Sequence, residues 1–277
     1  MTDSRNTSTN TSSDTNCRGP LAGAQAAQAA EPAEAPLAAL PDEPDEAYLE
    51  CERPWVYWLL ILAAGWFGAY TVVLRGGVFC NAQTANVVML AVALGKQNWA
   101  RAAYLLIPIS AYFAGAFFSE YLGKSVKKLR FLRWDTILIG IEIAVVLVLG
   151  ALPVWAPDQI AQIALNFICS MQFNTFRQVE GIPAATTFVT NHIRQVGSTA
   201  AKYLRHKTPE SAEKIRVHGM MILFFIIGGV IGTICCKLFK YRSIWGTAIV
   251  LGAIFIRLAY ADLSYERKLL GKVPHGH

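Results

Sequence analysis

The stretch Arg75–Leu94, RGGVFCNAQTANVVMLAVAL, decides how the chain is read. A glycine pair follows an uninterrupted apolar run. Asn81, Gln83, Thr84 and Asn86 then crowd one short part of a segment otherwise fit for a bilayer. Successive helical positions turn by about 100°, so Asn81 and Thr84 share a face while Gln83 and Asn86 point elsewhere. No orientation of that turn suits lipid, and the segment is expected to be buried against other helices or to line a wet cavity.

The surrounding chain supports a membrane setting. Of its 277 residues, 54% are hydrophobic and 16% charged, where a soluble domain carries roughly 25% charge. Several charge-free runs approach the roughly 20 residues that cross a hydrocarbon core of about 30 Å. An all-α membrane protein follows, because a backbone in lipid must satisfy its own hydrogen bonds. Its expected partner is the lipid bilayer, which it crosses several times. The net charge of +6 gathers in short loops, the pattern that orients membrane proteins, and argues against nucleic acid.

Residues 1–50 are rich in Ser, Thr, Asn, Ala, Pro, Asp and Glu and are expected to form a disordered N-terminal tail without the apolar core of a secretory signal. Candidate helices cover 55–74, 102–122, 134–152, 159–176, 217–236 and 244–262, with Pro54 suited to the first turn of the first helix. The segments 78–94 and 181–203 are irregular. Residues 266–277 form a short C-terminal tail.

Part of the opening stretch recurs in 181–203, GIPAATTFVTNHIRQVGSTAAKY. Thr84-Ala85-Asn86 falls on Thr190-Asn191-His192. Tyr112-Phe113-Ala114-Gly115-Ala116 falls on Phe225-Ile226-Ile227-Gly228-Gly229, and Trp134 and Trp245 open corresponding helices. Two pseudo-repeats, 55–154 and 157–265, are expected. If both polar segments cross, there are eight spans in parallel repeats. If neither crosses, there are six in inverted repeats, and a seven-span version puts the N-terminus outside. With eight spans the basic loop 202–216 and Arg267-Lys268 fall on the side opposite to 124–133; six spans put all three on one side and leave Lys237, Lys240 and Arg242 misplaced, and the seven-span version fits the charges almost equally well. The expectation is a bundle of about six spans.

Candidate site residues come from the polar segments. Asn81, Gln83, Thr84 and Asn86 belong to the first. In the second, Thr187, Thr190, Asn191 and Arg194 follow i, i+3, i+4, i+7, the pattern of an amphipathic helix. Polar glue between helices is the competing reading. Arg75, beside a helix start that would follow Gly76–Gly77, could face an anionic group or anchor at the interface. Glu142 and Arg257 are the clearest intramembrane charges, and in inverted repeats they lie at similar depth and could pair. Histidines 192, 206 and 218 lack ligand spacing, so no metal is expected. Six cysteines without C-x-x-C spacing read as reduced packing thiols. No soluble-enzyme motif is present, so no catalytic residue, cofactor or enzymatic activity is expected.

On GGVFCNAQTANVVMLAVALGKQNW (76–99), IPISAYFAGAFFSEYLG (107–123) and ATTFVTN (185–191), the chain resembles the YoaK-type family of uncharacterised bacterial membrane proteins. The resemblance covers about residues 55–265. Relatives usually carry Gly where this chain has Ala85. It implies a multi-pass protein of the bacterial cytoplasmic (inner) membrane with six or so helices, and carries no substrate.

The function expected is a secondary-type transporter of a small solute or ion, with its site at segments 76–90 and 184–196. The alternative is a non-transporting scaffold or sensor whose polar turns hold helices together. A homo-oligomer is compatible with either.

Overall fold

A computed structural model describes residues 48–126, 132–270 and 274. The tail expected over 1–50 therefore lies outside the described residues up to position 47, as do 127–131 of the basic loop and 271–273 and 275–277 of the C-terminal tail.

The described residues are almost entirely helical. In chain order they form α1 (Pro54–Leu74), α2 (Gln83–Gly95), α3 (Trp99–Val126), α4 (Trp134–Ala151), α5 (Asp158–Thr175), α6 (Thr190–His206), α7 (Pro209–Phe239) and α8 (Trp245–Leu263). A small antiparallel hairpin, β1 (Gln178–Val179) and β2 (Ile182–Pro183), joins α5 to α6. Four helical stretches are long and apolar enough to cross a membrane: Pro54–Leu74, Trp99–Gly123, Trp134–Ala151 and Pro209–Leu263. The last is α7 and α8 in series, joined by a 3-10 turn over Lys240–Ile244. The chain is an all-α membrane bundle.

α5 has 18 residues, as many as α4, but is not among the four. Gln162, Asn166, Ser170 and Gln172 are all buried in the protein. A helix shielded from lipid need not be apolar.

Side-chain contacts fix the helix directions. At the face where α1 begins (the near face), the Tyr57 hydroxyl accepts from Gln178 N–H at 3.0 Å, and Trp134 Nε1 donates to Thr175 Oγ1 at 3.0 Å. Thr136 Oγ1 donates to Asp262 Oδ2 at 2.7 Å, and Ser119 Oγ meets Thr175 Oγ1 at 3.1 Å. The starts of α1 and α4 thus share a face with the ends of α3, α5 and α8. At the far face Gln162 Nε2 donates to Arg75 O at 2.7 Å, Tyr241 lies 4.2 Å from the Arg75 guanidinium, and Trp245 Nε1 donates to Leu147 O at 3.0 Å. α1, α4 and α7 run one way, and α3, α5 and α8 the other.

The largest helix contacts are α1 with α7 and α3 with α5, both parallel pairs, followed by α6 with α7 and α4 with α8. Close approach depends on glycine. A Cβ at Gly228 would run into the Leu62 carbonyl of α1, and one at Gly115 into the Phe167 carbonyl of α5. Missing side chains let membrane helices touch along their backbones.

Several boundaries differ from expectation. The segment read as 78–94 is helical only from Gln83, so its 13 residues span about 20 Å and do not cross. α7 begins eight residues before the expected 217, because Thr208 caps it, accepting from Ser211 N, and Pro209 occupies the first turn. Leu49–Glu52 belongs to the folded body. Leu49, Glu50, Cys51 and Glu52 are buried, Glu50 N–H donates to Glu266 Oε1 at 2.7 Å, and Arg257 donates to Glu50 Oε1 at 3.1 Å.

The helix directions put the α2–α3 and α6–α7 connections on opposite sides. In a Cys17→Ser, Cys235→Ser background, cysteines at the exposed positions Gln97 and Lys207 should react with a membrane-impermeant maleimide from opposite sides of the membrane. Labelling of both from the same side would contradict the arrangement.

Candidate functional site

The site begins where α1 ends. Gly76 and Gly77 take φ values of +72° and +70°, a left-handed conformation that residues with a Cβ resist. The chain turns back into the bundle as an irregular, non-helical stretch over 78–82. Its depth is set by Asn81, whose Nδ2 donates to the Ala64 carbonyl at 3.0 Å near the middle of α1. Asn86 replaces the lost helical bonds: Oδ1 accepts from Phe79 N–H at 3.1 Å, and Nδ2 donates to Phe79 O at 2.6 Å and Gln83 Oε1 at 3.1 Å. Gln83 Nε2 donates to Asn166 Oδ1 on α5 at 2.6 Å. α2 then returns to the far face, where α3 starts. The element is a re-entrant segment with its helix N-terminus at mid-depth.

Arg75 seals the turn. Its side chain is fully buried, Nε donates to Tyr70 Oη at 3.0 Å, and NH1 lies 3.4 Å from Asp158 Oδ1, with the Tyr241 ring over the guanidinium. It is an inward-facing anchor, not a snorkelling one. Asp158, at the first turn of α5, and Gln162, bonded to the Arg75 carbonyl and the Tyr104 hydroxyl, tie the turn to α5.

The second segment enters less deeply. After the hairpin, Gln172 Nε2 donates to Thr186 O at 3.2 Å, and His192 Nε2 meets Ala185 O at 2.7 Å. A carbonyl only accepts, so His192 carries its hydrogen on Nε2. Its Nδ1 then accepts from His218 Nδ1–H, 2.8 Å away on α7. Thr187 lies before α6, not on the amphipathic face expected for it. Thr190 and Arg194 are exposed, and the half-buried Asn191 accepts from Arg194 NH2 at 3.1 Å.

Of the residues singled out in sequence, Asn81, Gln83 and Asn86 therefore hold backbone and neighbouring helices, and Thr84, Thr190 and Arg194 face outward. Glu142 and Arg257 do not pair. Arg257 turns to Glu50, whereas Glu142 is fully buried and no described residue bonds either oxygen.

The two segments converge on groups the sequence did not single out as a set. Tyr112 of α3 lies close to Cys80 of the first segment, Thr187 of the second and Cys169 of α5. Thr187 Oγ1 faces the phenol without reaching hydrogen-bond geometry. Cys169 in turn adjoins Cys80 and Glu142. Both oxygens of Glu142, Gln172 Oε1, Ser170 Oγ and Thr186 Oγ1 are buried without a protein partner among the described residues. Buried polar groups are ordinarily bonded, so these orphans on α4, α5 and the second segment are groups left for something else to bond. Among the described residues no group of three or more His, Cys, Asp or Glu is placed to hold a metal ion. A separate apolar groove of about 520 Å³, lined by Gly65, Gly68, Val72, Phe79, Asn81 and Ile226 among others, runs between α1 and α7 and misses this centre.

Sequence could suggest Gln172 as a polar residue in a helix, but not its company. Tyr112 and Cys169 are ordinary residues of apolar helices, and His192 and His218 are joined only by the packing of α6 on α7.

Residues 56–257 match the family described as "Protein of unknown function (DUF1275)", and the chain belongs to that family. No curated protein and no solved structure matches it.

Removing the Asn86 amide strips Phe79 of both partners. Asn86→Ala should destabilise the protein by about 1–3 kcal/mol and lower its melting temperature in detergent, with Thr84→Ala near wild type as the control. The imidazole pair adds a pH dependence. Burial pushes His192 below its usual 6.5, the Ala185 hydrogen bond opposing this. A depressed histidine contributes stability that is full above 6.5 and lost as pH falls through its folded value. A proton on His192 can enter only at Nδ1, against His218, with Lys214 and Arg194 nearby. Protection of α6 amides, after allowance for the slower intrinsic exchange in acid, should fall below pH 6.5 in the wild type and lose that dependence in His192→Gln.

Proposed function

We propose that this integral membrane protein is a secondary-type transporter of a small solute, with its binding centre where the segments 75–82 and 184–189 meet α4 and α5. The observation that carries the reading is that Glu142, Ser170, Gln172 and Thr186, on α4, α5 and the second segment, each keep a buried polar atom without a protein partner, while Cys169 adjoins Glu142 on one side and Cys80 and Tyr112 on the other. These acceptors and hydroxyls have lost water without gaining protein partners, a cost of several kcal/mol in sum that a ligand would offset.

The helix arrangement supports it. α1 runs opposite to α5, α3 to α7 and α4 to α8. Exchanging the two halves turns the α1–α7 contact into α5–α3 and leaves α4–α8 as itself. Gly228 against Leu62 answers Gly115 against Phe167. This is the pattern of an inverted pseudo-repeat, in which irregular segments of each half form a site near mid-membrane. Lys202, Arg205, Lys207, Lys214 and Arg216 belong to the near-face α6–α7 region, so we place that face in the cytoplasm, with Lys237, Lys240 and Arg242 the exceptions. Asn81, Gln83 and Asn86 then shape the first segment, while the ligand meets its neighbours.

One observation favours a scaffold or sensor instead: the amides of Asn81 and Asn86 and the Gln83 side chain are all engaged within the protein.

Uptake into proteoliposomes, screened over small polar solutes, separates the readings. Transport predicts accumulation of at least one solute. Thr186→Val, which removes a hydroxyl that bonds nothing among the described residues, should lower its rate ten-fold or more, about 1.4 kcal/mol at the site, with the melting temperature unchanged. Uptake equal to empty vesicles for the whole panel would favour the scaffold.

A further inference from the structure

The carboxyl of Glu142 has a use that solute binding alone does not explain. It is the ninth of 18 residues of α4, so about 13 Å of helix separates it from either end. Its side chain is fully buried, and neither oxygen has a hydrogen bond or ion pair among the described residues. A carboxylate there would be an uncompensated charge in low dielectric, one of the most costly arrangements available to a membrane helix.

The elements packed on α4 supply no cation. On α5 the nearest titratable group is the thiol of Cys169, with Cys80 and the Tyr112 phenol beyond it. On α8, Arg257 is drawn away to Glu50, and Asp262 takes the Thr136 hydroxyl and the Arg133 amide. In the 3-10 turn before α8, Tyr241 covers Arg75 and Arg242 lies over Trp245. No group of three or more His, Cys, Asp or Glu gathers around Glu142 among the described residues. One small cation fits a lone carboxyl in a dry setting, because it needs a single oxygen.

We propose that Glu142 is a proton-binding site and that the proton it carries is the coupling ion of the centre. In the conformer described here the carboxyl holds the proton. When the centre opens to water, the carboxylate can be hydrated and the proton leaves. A ligand that binds the two forms unequally is then linked to the proton by reciprocity. The coupling half rests on the transport reading, and the binding half does not.

The test uses the full chain in phosphatidylcholine vesicles treated with the apolar reagent dicyclohexylcarbodiimide. A protonated carboxyl gives its proton to a carbodiimide nitrogen while its oxygen attacks the central carbon. The O-acylisourea rearranges to a stable N-acylurea with no atom lost, so mass spectrometry can locate the adduct. Glu142 should be labelled at least ten-fold more than the exposed Glu213, with labelling falling as pH rises. The infrared carboxylic-acid C=O band that titrates with it should vanish in E142Q and persist in E142D. An unlabelled Glu142 at every pH, or an infrared titration identical in wild type and E142Q, would overturn the site. For coupling, an imposed pH gradient should drive solute uptake in wild type but not in E142Q. Gradient-driven uptake that survives in E142Q overturns the coupling while leaving transport intact. A titrating Glu142 in vesicles that move no solute upholds the proton site and sinks the transport reading.

Discussion

A backbone that leaves helical conformation inside a bilayer must find its hydrogen bonds again, and here one amide side chain largely does so. Asn86 meets both the N–H and the carbonyl of Phe79, and Asn81 fastens the same stretch to the Ala64 carbonyl. Water is absent at this depth, so these bonds are what allow residues 76–82 to run as irregular chain between helices. The rest of the arrangement depends on that. Once the stretch is held at mid-depth, α2 can be a half-length helix, Cys80 is carried to Cys169 and Tyr112, and α3 can restart from the far face.

The helices around the break are held by close backbone contact rather than by a large apolar seam. Lipid is as apolar as leucine, so membrane helices gain little by hiding aliphatic surface from it. The protein puts Gly65 and Gly228 between α1 and α7, and Gly115 between α3 and α5. It spends the buried interior on polar groups: Arg75 at the far face, Glu142 and Gln172 between, Arg133 with Asp135 and Asp262 at the near face. α5 shows the outcome, a helix too polar for lipid and buried by the partners it bonds.

Much of the architecture was legible because membrane length and apolarity are strong one-dimensional signals. The ends of α1, α4, α5 and α8 lie within one residue of the expected positions. The polar turn was legible as an anomaly, and its cause, a chain break after Gly76–Gly77, is local. What could not be read was which polar side chain serves the backbone and which stays unpaired. Asn81 and Glu142 look alike in sequence, each a polar residue in an apolar run. Only the Ala64 carbonyl beside one and the missing partner of the other separate them. The same limit applied to Arg257, whose expected partner lay at matching depth but whose actual partner, Glu50, sits in a segment read as disordered.

That last contact has a consequence for how the protein is made. Glu50 receives Arg257 from α8 and Tyr265 just beyond it, and gives its own amide to Glu266. Those partners lie more than 200 positions along the chain from Glu50, so the clasp can close only when α8 has been inserted with its end at the face where α1 began. A misoriented α8 would leave Glu50 without Arg257 and Tyr265, and Glu266 without the Glu50 amide.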